Sequence, residues 1–358
     1  MRLIPSFPRP GCFSRSLVSL VCFALVGGWV LDGSVFGQEV LPDELRTNGA
    51  GSLKAVQPVK NLAMQSAIQL GKSKEKTLTG VAATPDGYIL TLASEAEPLK
   101  PLRAFLSDGT SAEVREVKRD DRLNLLLLKV DRAGFMPAAW GESLSLDIGH
   151  WVVSPTEHGS EVRLGVVSAN RRAIPNSGAV LGVRFGLDDA DVGVMVEEVA
   201  ADSPANLAGI LKDDVILAVD GKGVSKNEAV ARIVSGRQPG DLIKIKYRRS
   251  GADKETEVRL ASKSRVLMNW AGEDFGNHGT SFRTDNYPEI IQHDLPLGPM
   301  DMGGAVFDLH GRAIAINVAR VDRVTNYALP VEAFLPDLLK WLREDRLAEK
   351  EKAKKREK

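Results

Sequence analysis

Cysteine is nearly absent from this chain of 358 residues: there are two, Cys12 and Cys22, both close to the N-terminus. Everything downstream therefore lacks disulfide frameworks, thiolate zinc sites and cysteine nucleophiles. A charge excess is missing too. The 47 Lys and Arg are balanced by 47 Asp and Glu, which argues against nucleic-acid binding, since that function normally needs a basic face. No Gly-rich phosphate loop occurs. His150, His158, His278, His293 and His310 are scattered without metal-ligand spacing, so neither a metal site nor a cofactor is expected. What is present is ordinary globular material. A hydrophobic share of 43% and a charged share of 26% exclude whole-chain disorder, and the length suits two or three domains.

Arg2, Arg9 and Arg15 precede an apolar run from Leu17 to Leu31, and Ser34-Val35-Phe36-Gly37 offers small residues near a cut after Gly37. A positive start, a short apolar core and a small-residue exit form a secretory signal over residues 1–37. The run is short for a spanning helix. The alternative is an uncleaved anchor, the one circumstance in which membrane contact is expected. Cys22 follows Val21, which makes lipoprotein processing the weaker option. Without residues 1–37 the chain carries 44 basic and 46 acidic residues. An exported protein free of cysteine fits the periplasm or cell envelope, or secretion.

Residues 38–56 read as a polar leader, with strand texture from about Leu53. Two β-prone runs, Thr79 to Ala83 and Tyr88 to Thr91, flank Asp86-Gly87, a hairpin signal. Phe105 to Thr110 repeats the pattern around Asp108-Gly109. Asn124 to Val130 is a nearly continuous apolar run, suited to a strand buried on both faces. His150 to Val153 and Leu164 to Val167 read as further strands. After Arg171 the texture changes to a compact αβ module over 178–262, with strands, a short helix start at Ser203-Pro204, and a helix from Ser225 to Ser235. Ser225 is its expected N-cap and Glu228 the box partner. Strands resume at Ala305 to Phe307 and Ala313 to Asn317. Val331 to Trp341 reads as a helix. Arg343 to Lys358 is a charge run without an apolar stripe, read as a solvated helical extension or tail rather than a binding tail.

Several stretches resemble the Do/HtrA family of exported trypsin-like serine proteases. Pro85-Asp86-Gly87-Tyr88-Ile89-Leu90-Thr91 is similar to the family's lead-in to the catalytic histidine, and Arg122-Leu123-Asn124-Leu125 to the segment around the catalytic aspartate. Ile148 to Val152 and Gly165 to Ala169 resemble later strands. Residues 291–331 resemble the end of the second barrel, with Gly303-Gly304 standing in for the glycine pair after the nucleophile. Residues 178–262 resemble a PDZ domain. That module normally follows the protease domain; here it sits inside it. The resemblance implies a mainly β fold, a trypsin-like double β-barrel interrupted by an inserted PDZ (αβ) domain. The expected order is signal 1–37, leader 38–56, first protease-like part 57–172, PDZ 178–262, linker 263–290, closing part 291–342 and charged tail 343–358.

Serine proteolysis needs a base, an acid that orients it, and backbone N–H groups that meet the oxyanion. By the resemblance the histidine position falls at Ser94, the aspartate position at Asn124 and the nucleophile at Met302. An amide cannot supply the negative charge that stabilises an imidazolium. A thioether has no proton to lose and forms no acyl-enzyme. Met300 replaces a glycine of the nucleophile motif, which places the oxyanion loop in question. All three roles are absent together, and this predicts a pseudoprotease with no catalytic residues. A Ser94–His293 pair is the conceivable substitute; otherwise His293 is a hydrogen-bonded structural residue.

Peptide binding by the module has a separate basis: a peptide adds as a strand to an exposed edge, and backbone N–H groups hold its terminal carboxylate. The resemblance places the carboxylate loop at Val180, Leu181, Gly182 and Val183. Ala229, Val230 and Ile233 would line the facing helix, unless they simply pack the module's core. Asp188, Asp189 and Asp191, with Glu197 and Glu198, are read as a solvated cluster rather than a site for basic ligands. The expected function is an inactive exported protein binding peptides or protein C-termini as scaffold, sensor or holdase. The alternatives are an active endopeptidase of the family with a non-standard site, and a structural homo-oligomer.

Overall fold

The computed structural model describes residues 42, 44, 46–156, 161–186, 193–263, 265–266 and 279–356. The expected signal, and with it His158, His278, Asp188, Asp189 and Asp191, lies outside the described residues.

The described chain begins helical, where a loose leader and then strand were expected. Helices α1 (Ala50–Ala55) and α2 (Gln57–Ser66) come first. Pro58 sits in the first turn of α2, where its missing N–H costs no bond. Val59 and Ala63, one helical turn apart, bury that face in the main core. Next come β1 (Ala67–Ser73), β2 (Lys76–Ala82), β3 (Tyr88–Leu92), the short helix α3 (Ala93–Ala96), β4 (Arg103–Phe105), β5 (Ser111–Glu113), β6 (Arg115–Asp120) and β7 (Leu125–Lys129). They form one antiparallel sheet ordered β5-β4-β1-β2-β3-β7-β6. The continuous apolar run in β7 has its reason here. Leu125 and Leu127 enter one core while Leu126 and Leu128 enter another on the opposite face.

A second sheet closes into a barrel of β18-β21-β20-β19-β8-β9. Its strands come from both sides of the inserted module: β8 (Trp151–Pro155) and β9 (Val162–Ile174) before it, and β18 (Tyr287–His293), β19 (Ala305–Phe307), β20 (Ala313–Arg320) and β21 (Asn326–Pro330) after it. The chain leaves at Ile174 and returns at Tyr287, and these two residues are paired across β9 and β18. Adjacent ends are what allow a domain to be inserted without disrupting the host barrel.

The module holds β10 (Ala179–Val180), β11 (Val183–Phe185), β12 (Val194–Val199), α4 (Pro204–Leu207), β13 (Val215–Val219), β14 (Lys222–Gly223), α5 (Asn227–Ser235), β15 (Leu242–Arg249), β16 (Ala252–Arg259) and β17 (Ala261–Ser262). Strands β10 and β17 pair at its neck, and the rest form a sheet ordered β11-β12-β13-β15-β16 around a core of their own. Its second helix starts later than expected. The N-cap of α5 is Lys226, without a side-chain cap, and Ser225 with Glu228 makes no capping box. The Asn227 amide instead donates to the Gly186 carbonyl at 2.9 Å, which ties the helix start to the end of β11.

The last helix, α6 (Val331–Arg356), runs well past Trp341, so the charge run from Arg343 is the helical extension rather than a frayed tail. Phe334, Leu338, Trp341 and Leu342 join the main core. Beyond them one face is held to the first sheet by ion pairs: Asp345 and Glu349 with Arg115 at 2.8 and 2.6 Å, and Arg346 with Asp86 at 2.9 Å.

Candidate functional site

Ser94 lies in α3, directly after β3, and Asn124 directly before β7; β3 and β7 are paired, so the two side chains meet. Asn124 adopts φ 60°, a left-handed conformation that asparagine tolerates better than most residues. Its amide clamps Ser94 at two points. Oδ1 accepts the Ser94 backbone N–H at 2.8 Å and Nδ2 donates to Ser94 Oγ at 2.9 Å. Asn124 Nδ2 also reaches the Tyr287 hydroxyl at 3.5 Å, and that hydroxyl donates to the Val318 carbonyl at 3.1 Å. Burial raises the Tyr287 phenol to about 12, so it stays a neutral donor. The Ser94 hydroxyl is therefore an acceptor in a fixed network, and its remaining contact is donation to Glu95 Oε1 at 3.4 Å.

Ser94 is also covered. The inserted module sets its Pro239-Gly240 turn on it, so close that a Cβ on Gly240 would lie 3.1 Å from Ser94 Cβ. Beside this contact Arg259, at the end of β16, faces Glu95 across 3.9 Å with both side chains buried. The Phe282 ring is sandwiched between the guanidiniums of Arg259 and Arg265 at 4.1 and 4.4 Å. Burial pushes the Arg265 pKa down to about 10 and lowers Arg259 as well, with the Glu95 charge opposing both. At the neck Asp285 accepts from the Ser262 hydroxyl at 2.9 Å and from the Ser177 N–H at 2.9 Å. Module and first sheet thus meet through a buried polar junction centred on the residues around Ser94.

Met302 is fully buried in the main core. It follows a short turn, Pro299–Asp301, whose Asp301 carboxylate accepts the Gly298 N–H at 2.7 Å. Gly303 has φ 95° and lies against Thr79 and Thr91; a Cβ there would fall 2.3 Å from the Thr79 carbonyl oxygen, so only glycine fits. Three successive backbone donors of this loop are used inside the fold. The N–H of Met302 donates to Pro299, that of Gly303 to Asn317, and that of Gly304 to Asp301. An oxyanion hole needs such donors aimed together at an open point.

His293 does not reach Ser94. Its Nδ1 accepts the Leu295 N–H at 3.4 Å, which leaves Nε2 protonated and donating to Asn317 Oδ1 at 2.8 Å. Full burial pushes its pKa down to about 4, with the Asn317 bond opposing. Both ring nitrogens are engaged elsewhere, and the neutral ring is a structural crosslink between β18 and β20. The conceivable Ser94–His293 pair is thereby contradicted. Among the described residues no group of three or more His, Cys, Asp or Glu is arranged to hold a metal.

In the module, β11 pairs with β12 on one edge and with no described strand on the other. Val180 is half-buried and Leu181 buried, and the Leu181 carbonyl accepts the Ala205 N–H at 2.9 Å, tying the loop to α4. Gly182 turns with φ 76° and packs against Ser203, where a Cβ would lie 2.3 Å from Ser203 Cβ. Val183 opens β11, partly exposed. On α5, Ala229 and Ile233 are partly exposed while Val230 is 1% exposed and belongs to the core. Glu197 and Glu198 both pair with Arg184, at 3.3 and 2.7 Å, which halves their charge.

Sequence reasoning brought Ser94 and Asn124 together but missed what covers them. The sequence carries no signal for Gly240 or Arg259 here, because a contact between Ser94 and Gly240 leaves no local pattern.

A β-barrel protein with a second β-sheet and an inserted αβ module is the class defined by this architecture. Residues 179–260 match the PDZ domain family. The chain is 24% identical over 337 residues to a "Probable periplasmic serine endoprotease DegP-like" of Halomonas elongata, covering 70% of this chain and 68% of that protein. It is 22% identical over 265 residues to the protein of the same name from Ectopseudomonas mendocina, covering 51% and 56%. The chain thus spans little more than half the length of the second relative. Among solved structures, "Crystal structure of Deg5" covers 79% of this chain and 91% of its own at 16% identity and a TM-score of 0.42. The chain is a relative of the HtrA-type, DegP-like serine endoproteases and carries a PDZ domain. The relatives' names support an exported, periplasmic location.

Proposed function

We propose that this chain is a catalytically inactive member of its family and works by binding peptide segments or protein C-termini through the inserted module, as a scaffold, sensor or holdase. The observation that carries this reading is the state of Ser94. The residue at the former histidine position is clamped by an amide and roofed by the module's own Gly240, and the aligned nucleophile position is a core methionine. A buried Met302 can neither attack a carbonyl nor admit a substrate to the loop that holds it. The module keeps what peptide addition requires. It has an edge strand with one open side, a glycine in a left-handed turn just before it, and partly exposed Ala229 and Ile233 on the helix opposite.

The test has two halves. The full chain is incubated with fluorogenic casein beside its Ser94→Ala variant and treated with a serine-directed phosphonate; no turnover and no label are expected. The same preparation is titrated with a fluorescent peptide ending in an apolar residue, as free acid and as amide. Saturable binding that weakens on amidation is expected. Turnover abolished in Ser94→Ala, or labelling at Ser94, would overturn the inactive reading, and equal indifference to both peptides would overturn the binding one.

A further inference from the structure

The outer face of α6 has no role in the fold. At about 100° per residue, Leu339, Lys340, Arg343, Leu347, Lys350 and Lys354 fall within one arc of about 100°, and no carboxylate between positions 339 and 354 shares it. All six are exposed, Leu339 at 52% and Leu347 at 56%. Among the described residues no carboxylate is paired with any of the four cations. Three acidic residues of the same helix are spent on the other side: Asp337 bonds Arg122 at 3.1 Å, Asp345 bonds Arg115 and the Tyr88 hydroxyl, and Glu349 bonds Arg115, while Glu344 and Glu351 are exposed just outside the Lys340 edge of the arc. The helix is thereby clamped to the first sheet through Asp337, Asp345 and Glu349. What it turns outward is a cationic strip about 23 Å long, from Leu339 to Lys354 at 1.5 Å per residue, interrupted by two leucines.

We infer that this strip is a docking surface for an anionic lipid membrane, on which α6 lies flat. Charge complementarity names an anionic surface, and the spacing of the leucines chooses the lipid. A protein groove reads a helix through apolar anchors one turn apart. Here the position one turn after Leu339 is Arg343, and Leu347 stands a further turn on, so no anchor row exists. A bilayer interface asks for less. Long basic side chains reach headgroup phosphates while isolated leucines enter the acyl boundary. Since the whole chain carries as many acidic as basic residues, attraction must come from this local strip and not from net charge. Among the described residues no helix is long and apolar enough to cross a membrane, so the contact made by this region is peripheral. It adds to the module's peptide binding a means of holding the protein at a lipid surface.

The test is co-sedimentation of the full chain with vesicles of phosphatidylcholine alone and of phosphatidylcholine with 30% phosphatidylglycerol (a composition typical of such assays, about one anionic lipid in three). The comparison is a variant carrying Lys340→Glu, Arg343→Glu, Lys350→Glu and Lys354→Glu, its fold verified by circular dichroism and by unchanged peptide binding. Each cation near an anionic surface adds roughly a five-fold gain in partition, so the unmodified chain should bind the anionic vesicles at least about ten-fold better than the variant. That advantage should shrink when salt is raised, because screening is strong over a Debye length. The variant comparison cancels any partition contributed by the apolar Leu17 to Leu31 run. Equal partition of chain and variant, or no preference for anionic over neutral vesicles, would overturn the proposal. Binding to soluble polyglutamate without binding to anionic vesicles would also overturn it and reassign the strip to an acidic protein.

Discussion

Around Ser94 and Met302 the hydrogen-bonding groups point inward, whereas along β11 one edge meets no described strand. In the first region the groups satisfy one another: an amide on a serine, a neutral imidazole on an amide, loop N–H groups on nearby carbonyls. The second keeps a short edge strand, a left-handed glycine and a half-exposed helix face. A region that satisfies itself holds a fold together, and a region that leaves donors outward can still hold a ligand. Four measurements break or sharpen this contrast, the largest effect first.

The buried junction should be the most sensitive point. Glu95→Ala removes the carboxylate that faces Arg259 and leaves a cation buried at the contact between module and first sheet. Loss of one partner of a buried pair costs about 3–5 kcal/mol, so the urea midpoint should fall steeply. A loss below about 1 kcal/mol, the level of an exposed pair, would mean that the module rests on Ser94 without being fastened there.

His293 supplies the next effect, and its sign is fixed by the depressed pKa. The folded state holds the ring neutral, with a pKa of about 4 against an ordinary 6.5. Its contribution to stability is complete above pH 6.5, declines as pH falls and is lost below pH 4. A shift of this size corresponds to roughly 3 kcal/mol, because each pKa unit is about 1.4 kcal/mol. Unfolding free energies of the chain and of His293→Gln, measured between pH 7 and 4, should show a slope in this window that the variant lacks. Parallel curves would remove His293 from the list of inward-facing crosslinks.

Much of the fold was legible because its signals are local. The Asp-Gly turns, the two-faced apolar run of β7 and the module's own strand pattern are all contained within a few residues. The degenerate triad is a reading of a different kind: it is a statement about side-chain chemistry at positions aligned by resemblance, and it stands as a proposal. The N-terminal helices were misjudged because residues 50–66 bury a sparse helical stripe, Val59 and Ala63, that only the barrel core makes meaningful. For α6 the sequence left a helical extension and a tail both open, because its order past Trp341 comes from Arg115, Tyr88 and Asp86, all more than 200 residues away. The cover over Ser94 was illegible for the same reason.

On the open side of the comparison the expected effect is smaller. If backbone N–H groups near Gly182 hold a terminal carboxylate, amidating the peptide should weaken binding about ten-fold, close to 1.4 kcal/mol, in the range of a hydrogen bond to a charged group. Fluorescence anisotropy with the paired peptides reads this directly. A weakening of less than two-fold would mean that the groove reads an internal extended segment by strand addition alone.

The smallest expected effect is none at all, and it bears hardest on the inward-facing region. Restoring the aligned triad with Ser94→His, Asn124→Asp and Met302→Ser should give no casein turnover above that of the unmodified chain, in protein shown to be folded by circular dichroism. The new imidazole would lie beneath Gly240, where even one added Cβ on that glycine would come within 3.1 Å of the residue-94 Cβ. The new hydroxyl would sit in a core position, and the N–H of its own residue would still donate to Pro299. Catalysis by this chemistry draws much of its rate from preformed oxyanion donors, and three side chains do not turn a backbone around. Turnover in the restored variant would show that the donors can reorient and that only the side chains had been lost, in which case the two regions differ in residue chemistry and not in architecture.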